Sequence, residues 1–453
     1  MKKLFGTDGI RGVVGKDLTV ELSFKLGRIF GAMLTQENPS GSSGPLSVVV
    51  GEDTRSSCEA LADAISTGLT SQGVNVSLAD VIPTPGLAFL TRTAGFNGGV
   101  MISASHNPAE YNGIKFVSHD GLKLTEAKES EIETGVENYD QIHFPNKPRG
   151  SIKREPILST KYLEYMRQIE DISLEGLRIV LDLANGATYS IAPKLFTALG
   201  ADVVSISDRP DGSNINLNCG STHLDNLRKA VLTHRADLGV AFDGDGDRAL
   251  AVDERGEIVD GDQIVLIEAL DLARAGKLRN NTVVATVMSN YGLERALRER
   301  NITLKRTPVG DRYVVVEMKK CGAVIGGEQS GHVIFLDHNT TGDGLITAIK
   351  LLATVKRNGR KLSALAAEME RLPQVQLNVA VRSTKDWDQN TKIQEVITNA
   401  TRHIQAEGRI IVRASGTEPL IRVMVEGKDN SLIDRLAREI ANAIQNEIGV
   451  SRL

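Results

Sequence analysis

Residues 46–55 read Leu-Ser-Val-Val-Val-Gly-Glu-Asp-Thr-Arg. Leu46–Val50 is a largely apolar run of strand length, read as a buried strand, that stops in a polar loop, Glu52–Arg55. Residues 57–72 then follow with helical spacing until Gly73, and Val74–Ile82 reads as another strand, closed by Pro83-Thr84-Pro85. Two strand patterns joined by a helix make a βαβ unit, which implies parallel strands and a right-handed crossover. The pattern returns over Leu177–Leu181, Ile191–Leu199 and Val203–Ile206, and again over Thr282–Val287, 293–300 and Ile302–Lys305. Three units of one kind predict three similar α/β domains in tandem, with mixed sheets.

Upstream of the first unit, residues 19–36 carry a helical apolar spacing, and residues 5–12, Phe-Gly-Thr-Asp-Gly-Ile-Arg-Gly, are too polar and Gly-rich for a core strand. The three prolines of 145–156 mark a first boundary, and a strand ending at Val252 marks a second. Helical patterns over 343–356 and 361–371 end at Pro373. Beyond it, strand patterns at Gln376–Val381, Arg409–Arg413 and Ile421–Glu426 alternate with helical ones at 386–406 and 431–447, an α+β domain with an antiparallel sheet. The expected division is 1–150, 151–253, 254–372 and 373–453.

The composition bounds the function. A formal net charge of −4 over 453 residues, with 4% aromatic content, excludes a nucleic-acid face or a base-stacking platform. Cys58, Cys219 and Cys321 are few, odd in number and far apart, which suits a reducing compartment and no zinc site. The N-terminus has no apolar stretch behind its lysines, and no uncharged run approaches membrane-span length. A cytoplasmic protein without membrane or nucleic-acid partners is expected.

Four stretches carry chemistry. In residues 97–116 an apolar run, Val100–Ile102, stops at Ser103, and Ser105, His106 and Asn107 follow before Pro108, which excludes helix there. Asn112-Gly113 reads as a turn into a strand over Ile114–Val117. Ser105 thus sits on a tight loop at a strand end, a usual place for a reactive hydroxyl in an α/β sheet. Taken alone, a polar loop is the better reading.

In Asp243-Gly-Asp245-Gly-Asp247-Arg248, between two apolar runs, three carboxylates repel one another unless a cation bridges them. Hard divalent ions want such oxygens, and Mg²⁺ keeps further positions for water or phosphate. An EF-hand loop would need Gly where Arg248 stands and flanking helices instead of strands. A phosphatase with an aspartyl nucleophile needs no third Asp.

Residues 326–332, Gly-Gly-Glu-Gln-Ser-Gly-His, offer Glu328 and Ser330 to sugar hydroxyls, with His332 beside them. Residues 413–422 gather Arg413, Ser415, Gly416, Thr417 and Arg422, the parts of a phosphate cradle. For each of these two, an ordinary turn is the competing reading.

Together and in this order, Ala-Ser-His-Asn-Pro, Asp-Gly-Asp-Gly-Asp-Arg, Gly-Glu-x-Ser and Arg-x-Ser-Gly-Thr-Glu-Pro resemble the α-D-phosphohexomutase superfamily. Phe5–Gly12, Ile102–Ser105 and Glu328–His332 are similar to its bacterial branch that interconverts glucosamine 6-phosphate and glucosamine 1-phosphate, the amino-sugar precursor of cell-wall synthesis. The resemblance implies three α/β domains and an α+β domain around a central cleft, the last closing as a phosphate-binding lid. It implies that Ser105 carries a phosphoryl group and binds one Mg²⁺ with Asp243, Asp245 and Asp247. Arg11 and Arg248 would contact that group, Lys115 and His332 would serve proton transfer or the leaving oxygen, and a glucosamine or glucose 1,6-bisphosphate would be intermediate and activator. Glu328 and Ser330 would read the sugar, with Gln329 typical of the amino-sugar branch, and Arg413, Ser415, Gly416, Thr417 and Arg422 would hold the distal phosphate. The partner is a small hexosamine phosphate; a homodimer is left open. Other readings are a glucose or mannose phosphate mutase, a metal-dependent sugar phosphatase and a non-catalytic sugar-phosphate sensor.

Overall fold

A computed structural model describes residues 4–6, 8–37, 44–404, 407–415 and 418–450. Thr7, Gly416 and Thr417 of the motifs above lie outside the described residues.

The first strand of each βαβ unit is buried on both faces, as a parallel strand between helical layers must be, while the second is only partly buried. Among the described residues, the first sheet holds β1 (Ile10–Val13), β2 (Ser47–Glu52), β3 (Asn75–Val81), β4 (Gly98–Ile102), β5 (Tyr111–Ser118) and β6 (Ile152–Arg154), in the order β1-β5-β4-β2-β3-β6. β2, β3, β4 and β6 run parallel, while β5 and β1 are antiparallel additions at one side. The second sheet holds β7 (Arg178–Asp182), β8 (Asp202–Ile206), β9 (Leu238–Phe242), β10 (Ala249–Asp253) and β11 (Ile258–Val259), ordered β11-β10-β9-β7-β8. The third holds β12 (Thr282–Thr286), β13 (Thr303–Thr307), β14 (Ile325–Gly327) and β15 (Val333–Phe335), ordered β13-β12-β14-β15.

The three sheets share a core of four strands. A βαβ pair (β2/β3, β7/β8, β12/β13) is joined in parallel by β4, β9 or β14, and an antiparallel strand (β5, β10, β15) follows directly. This is the repeat that periodicity predicted. The fourth sheet is different. β16 (Gln374–Ala380), β17 (Gly408–Ala414) and β18 (Leu420–Gly427) are all antiparallel, and β16 alternates exposed and half-buried residues along much of its length. Its core includes Ile393, Ile404, Val423, Ile433 and Ile440. The chain divides into two units, one of residues 1–288 and 302–368, the other of 289–301 and 369–453.

Several sequence expectations are corrected. Asn112-Gly113 is not a turn: both lie inside β5 opposite Gly12 and Arg11. Asn112 bonds Ser57 and Cys58 through its amide, and a Cβ on Gly113 would stand 2.4 Å from the Ser103 carbonyl, so this glycine permits a close approach. The turn falls earlier, closed by Asn107 N–H on Ala104 O and Tyr111 N–H on Pro108 O. Residues 10–12 do form a strand, at the sheet edge where one face suffices. The helical pattern at 386–406 breaks at Asn390 into a 3₁₀ turn, Trp387–Gln389, and a helix, Thr391–Ile404, because the Asn390 side chain accepts from Ile393 N–H. That at 361–371 yields only the short helix Leu362–Ala366. Ile152–Arg154 still pairs with β3, and Ile258–Val259 with β10.

Candidate active site

The shared four-strand core explains why the chemistry-bearing stretches recur. The Ser105 loop joins β4 to β5, the Asp loop joins β9 to β10, and the Glu328 loop joins β14 to β15. Each is the connection at which a parallel sheet takes up its antiparallel strand, and each begins at the carboxyl end of a parallel strand, where α/β folds place their sites.

Ser105 is buried, and its Oγ donates a 2.7 Å hydrogen bond to Asp243 Oδ2. The Asp loop approaches closely enough that a Cβ on Gly244 would stand 2.5 Å from the Ser105 carbonyl. His106 Nδ1 is 3.3 Å from Ser105 Oγ. Burial, with Arg248 and Arg11 adding to it, pushes the His106 imidazole down to about 4, so it is neutral at neutral pH.

Asp243, Asp245 and Asp247 are buried and offer ligand oxygens within 4.8 Å of one another. Burial pushes the Asp243 carboxyl well above the ordinary range, and Asp247 and Asp245 add to the push. Asp245 Oδ1 and Asp247 Oδ1 are buried with no hydrogen-bond partner, which is costly unless something else satisfies them. Hard carboxylate oxygens clustered and unsatisfied beside a serine oxygen fit a divalent cation.

A chain of ions surrounds the triad. Lys115 Nζ lies 2.7 Å from Asp245 Oδ2, 2.6 Å from Asp8 Oδ2 and 3.9 Å from Asp247 Oδ2. Burial works against its ammonium, but Asp245 and Asp8 outweigh burial and hold its pKa above the usual lysine value. Lys115 is therefore held as a cation and is not a ready base. Burial likewise opposes the Asp245 carboxylate, and Lys115 overcomes it and holds the group below the usual range. Asp8 also pairs with Arg11 and Lys123, and Lys123 reaches Asp311 at 2.6 Å. Arg11 donates 3.0 Å to Asn107 Oδ1. His332 Nε2 stands 3.6 Å from Asp311 and 3.9 Å from Asp247, and neither ring nitrogen has a hydrogen-bond partner. Arg11 Nε and Arg248 Nε are also buried and unpartnered, donors that a phosphoryl oxygen could satisfy. Lys123 and Asp311 escaped sequence reading because each is a lone charge in an unremarkable stretch.

In the third hairpin Glu328 accepts from Gly310 N–H at 3.3 Å, and Ser330 Oγ lies 3.5 Å from its other oxygen. Gly331 carbonyl accepts from Ala249 N–H, which ties this hairpin to the strand leaving the Asp loop. Gln329 is engaged elsewhere. Its amide donates to Asp260, the residue that caps helix Gly261–Arg274, so its side chain is occupied with that helix terminus.

In the second unit, Arg413 and Arg422 stand directly opposite each other on β17 and β18. Like charges facing across a ladder repel. Burial lowers the Arg413 pKa, and Arg422 lowers it further. Ser415 N–H closes the loop on Leu420 O at 2.8 Å. Paired guanidiniums, with one buried Nε on Arg422 lacking a hydrogen-bond partner, could take an anion.

Comparison with known proteins agrees with this arrangement. Four phosphoglucomutase/phosphomannomutase models match in order: alpha/beta/alpha domains I, II and III over residues 2–143, 160–256 and 260–372, and the C-terminal domain over 377–443. A phosphoglucosamine mutase of Thermoanaerobacter sp. is 49% identical over 451 residues, covering 99% of this chain and 100% of the relative. One of Staphylococcus haemolyticus is 47% identical over 460 residues, covering 99% and 100%. Among solved structures, a phosphoglucomutase/phosphomannomutase family protein of Burkholderia thailandensis superposes with a TM-score of 0.82 at 24% identity, covering 99% of this chain and 100% of that one. The Aspergillus fumigatus N-acetylphosphoglucosamine mutase does so at 0.68 and 19%, covering 98% and 95%. Near-half identity is sustained over 99% of the chain, and the chain belongs to the phosphoglucosamine mutase family of phosphohexomutases.

Proposed function

We propose that this chain interconverts glucosamine 6-phosphate and glucosamine 1-phosphate through a phosphorylated Ser105 and a 1,6-bisphosphate. The observation that carries the reading is Ser105 Oγ, held 2.7 Å from Asp243 inside a buried carboxylate triad. Asp243, Asp245, Asp247 and the Ser105 oxygen would hold one Mg²⁺. When bound, it neutralises charge on the phosphoryl group. The P–Oγ bond breaks as a bond forms from phosphorus to the free sugar hydroxyl, and the proton of that hydroxyl ends on Ser105 Oγ. The bisphosphate turns end for end and its other phosphate returns to Ser105. Arg11 and Arg248 contact the phosphoryl oxygens, and the Lys115 ammonium and the His332 ring face the transferring group. Catalysis is positioning plus charge stabilisation.

Glu328 and Ser330 read the sugar, and Glu328 can pair with the substrate ammonium. One charge-assisted hydrogen bond is worth about 1.5–3 kcal/mol, so glucosamine 1-phosphate should be preferred over glucose or mannose 1-phosphate by tens- to hundreds-fold in kcat/KM. Measured under one bisphosphate concentration, equal or higher values for glucose or mannose would overturn the specificity. Turnover independent of bisphosphate, with release of inorganic phosphate, would point to a phosphatase.

Arg413, Ser415, Gly416, Thr417 and Arg422 hold the non-reacting phosphate. Arg413→Ala should raise KM for glucosamine 1-phosphate about 10- to 100-fold, the worth of a charge-assisted phosphate contact, and leave Ser105 phosphorylation unaltered. An unchanged KM would remove Arg413 from the cradle.

A further inference from the structure

Arg55, in the polar loop that follows β2, has all five of its guanidinium donors committed. Nε donates 2.9 Å to Asp53 Oδ2. Nη1 donates to Pro108 O and, at 2.9 Å, to Tyr111 O. Nη2 donates to Ser105 O at 3.1 Å and Asn107 O at 2.8 Å. Four of the five acceptors are backbone carbonyls of the Ser105 loop. A guanidinium has five donors and no more, so Arg55 has none left for a phosphoryl oxygen. Its side chain and that of Asp53 are wholly buried.

Asp53 closes a second connection to the same loop. Its Oδ2 also accepts from Ser103 Oγ at 2.6 Å, and Ser103 Oγ accepts from Ser105 N–H at 2.9 Å. Asp53 N–H bonds Ile102 O, which fixes the end of β2 against the end of β4. Both the amide and the carbonyl of Ser105 are thus tied, directly or through Ser103, to one buried ion pair. The conformation so held is a demanding one. Ser105 has φ of +53°, in the left-handed region that a β-carbon disfavours by about 1–2 kcal/mol. Such a conformation persists only where its surroundings over-determine it.

We propose that Asp53 and Arg55 are positioning residues for phosphoryl transfer, a buried brace that holds the Ser105 loop in its left-handed turn so that Oγ meets the carboxylate triad in the same place each time the phosphoryl group leaves and returns. The inference rests on the proposed mutase reaction for its kinetic arm and on the loop itself for its second arm. Neither residue touches substrate, so the brace acts on kcat and not on binding.

The test is Arg55→Lys, whose single ammonium keeps the charge but cannot span four carbonyls. Its kcat for glucosamine 1-phosphate should fall about 10²-fold, the usual cost of ångström-scale misplacement, with KM unchanged within about threefold. Amide hydrogen exchange in the peptide covering 103–111 should quicken at least about tenfold, the loss of one to two hydrogen bonds, with exchange in β9 and β12 unaltered. An unchanged kcat, a fall in kcat without faster exchange, or a rise in KM alone overturns the proposal. Should Arg55→Lys fail to fold, Ser103→Ala cuts the Asp53–Ser105 connection at the cost of one oxygen, and the same readouts decide with about a tenfold loss in kcat expected. If the wild-type chain shows no mutase turnover, the proposed function falls, and the exchange arm decides the brace alone.

Discussion

Ser105→Ala should lose at least about 10⁴-fold in mutase kcat while the protein keeps its fold. No neighbouring hydroxyl can take over, because Ser103 Oγ is occupied by Asp53 and by the Ser105 amide. His106 is neutral and its Nδ1 stands 3.3 Å from the serine Oγ, a neighbour of the nucleophile and not a hydroxyl that could replace it. The substitution removes one oxygen and one hydrogen bond to Asp243, about 1 kcal/mol of stability, and alanine meets the positive φ with no more strain than serine did. Thermal unfolding within a few degrees of wild type, together with kcat at background, is the expected pair of readings. Full activity in Ser105→Ala would remove the covalent step.

The second large effect is metal removal. Chelation should lower turnover by at least about 10³-fold, with recovery on adding Mg²⁺, since charge neutralisation at a transferring phosphoryl group supplies several kcal/mol. Asp247→Asn gives a sharper result because its two effects have opposite signs. In chelator, removing one of three crowded carboxylates relieves repulsion, so the variant should be more stable than wild type by about 1 kcal/mol. With Mg²⁺ present the order should reverse, because a charged ligand is gone. Burial raises the Asp243 carboxyl, with Asp247 and Asp245 reinforcing it, so the folded metal-free protein keeps a proton that the unfolded chain gives up. The contribution of Asp243 to stability is therefore greatest below the ordinary carboxylate range and is lost as pH rises through the elevated Asp243 value. The cation competes with that proton, so Mg²⁺ affinity should rise over the same interval. Calorimetry of wild type and Asp247→Asn, with and without Mg²⁺, measures all of this. Identical melting curves in the four conditions would discard the metal site.

Much of this architecture is written in local pattern. The runs at Leu46–Val50, Leu177–Leu181 and Thr282–Val287 are long, apolar and followed by helical spacing, so burial on both faces leaves them little alternative to a parallel strand. Asp243, Asp245 and Asp247 were legible because their repulsion is a local fact of sequence that demands a cation. What could not be read is long-range. Asn112-Gly113 has turn chemistry, but its neighbours Ser57, Cys58 and Gly12 lie far away in the chain and draw it into β5. Gln329 sits inside a motif yet serves the cap of a helix 69 residues upstream in sequence. Lys123 and Asp311 join the ion network only once the segment after β5 meets the start of helix Asp311–Cys321. Arg55 looked like loop polarity, because nothing local says that four carbonyls of another loop will converge on it.

The most direct measurement of the central claim follows the phosphoryl group itself. Dephosphorylated protein is incubated with glucosamine 1,6-bisphosphate labelled in both phosphates; one portion is digested and mapped, and the other is chased with unlabelled glucosamine 6-phosphate. One label per chain on Ser105, passing to the sugar in the chase at a rate no slower than turnover, is the result predicted. Mutase turnover with no label on Ser105, or a label that the sugar phosphate cannot remove, would contradict it.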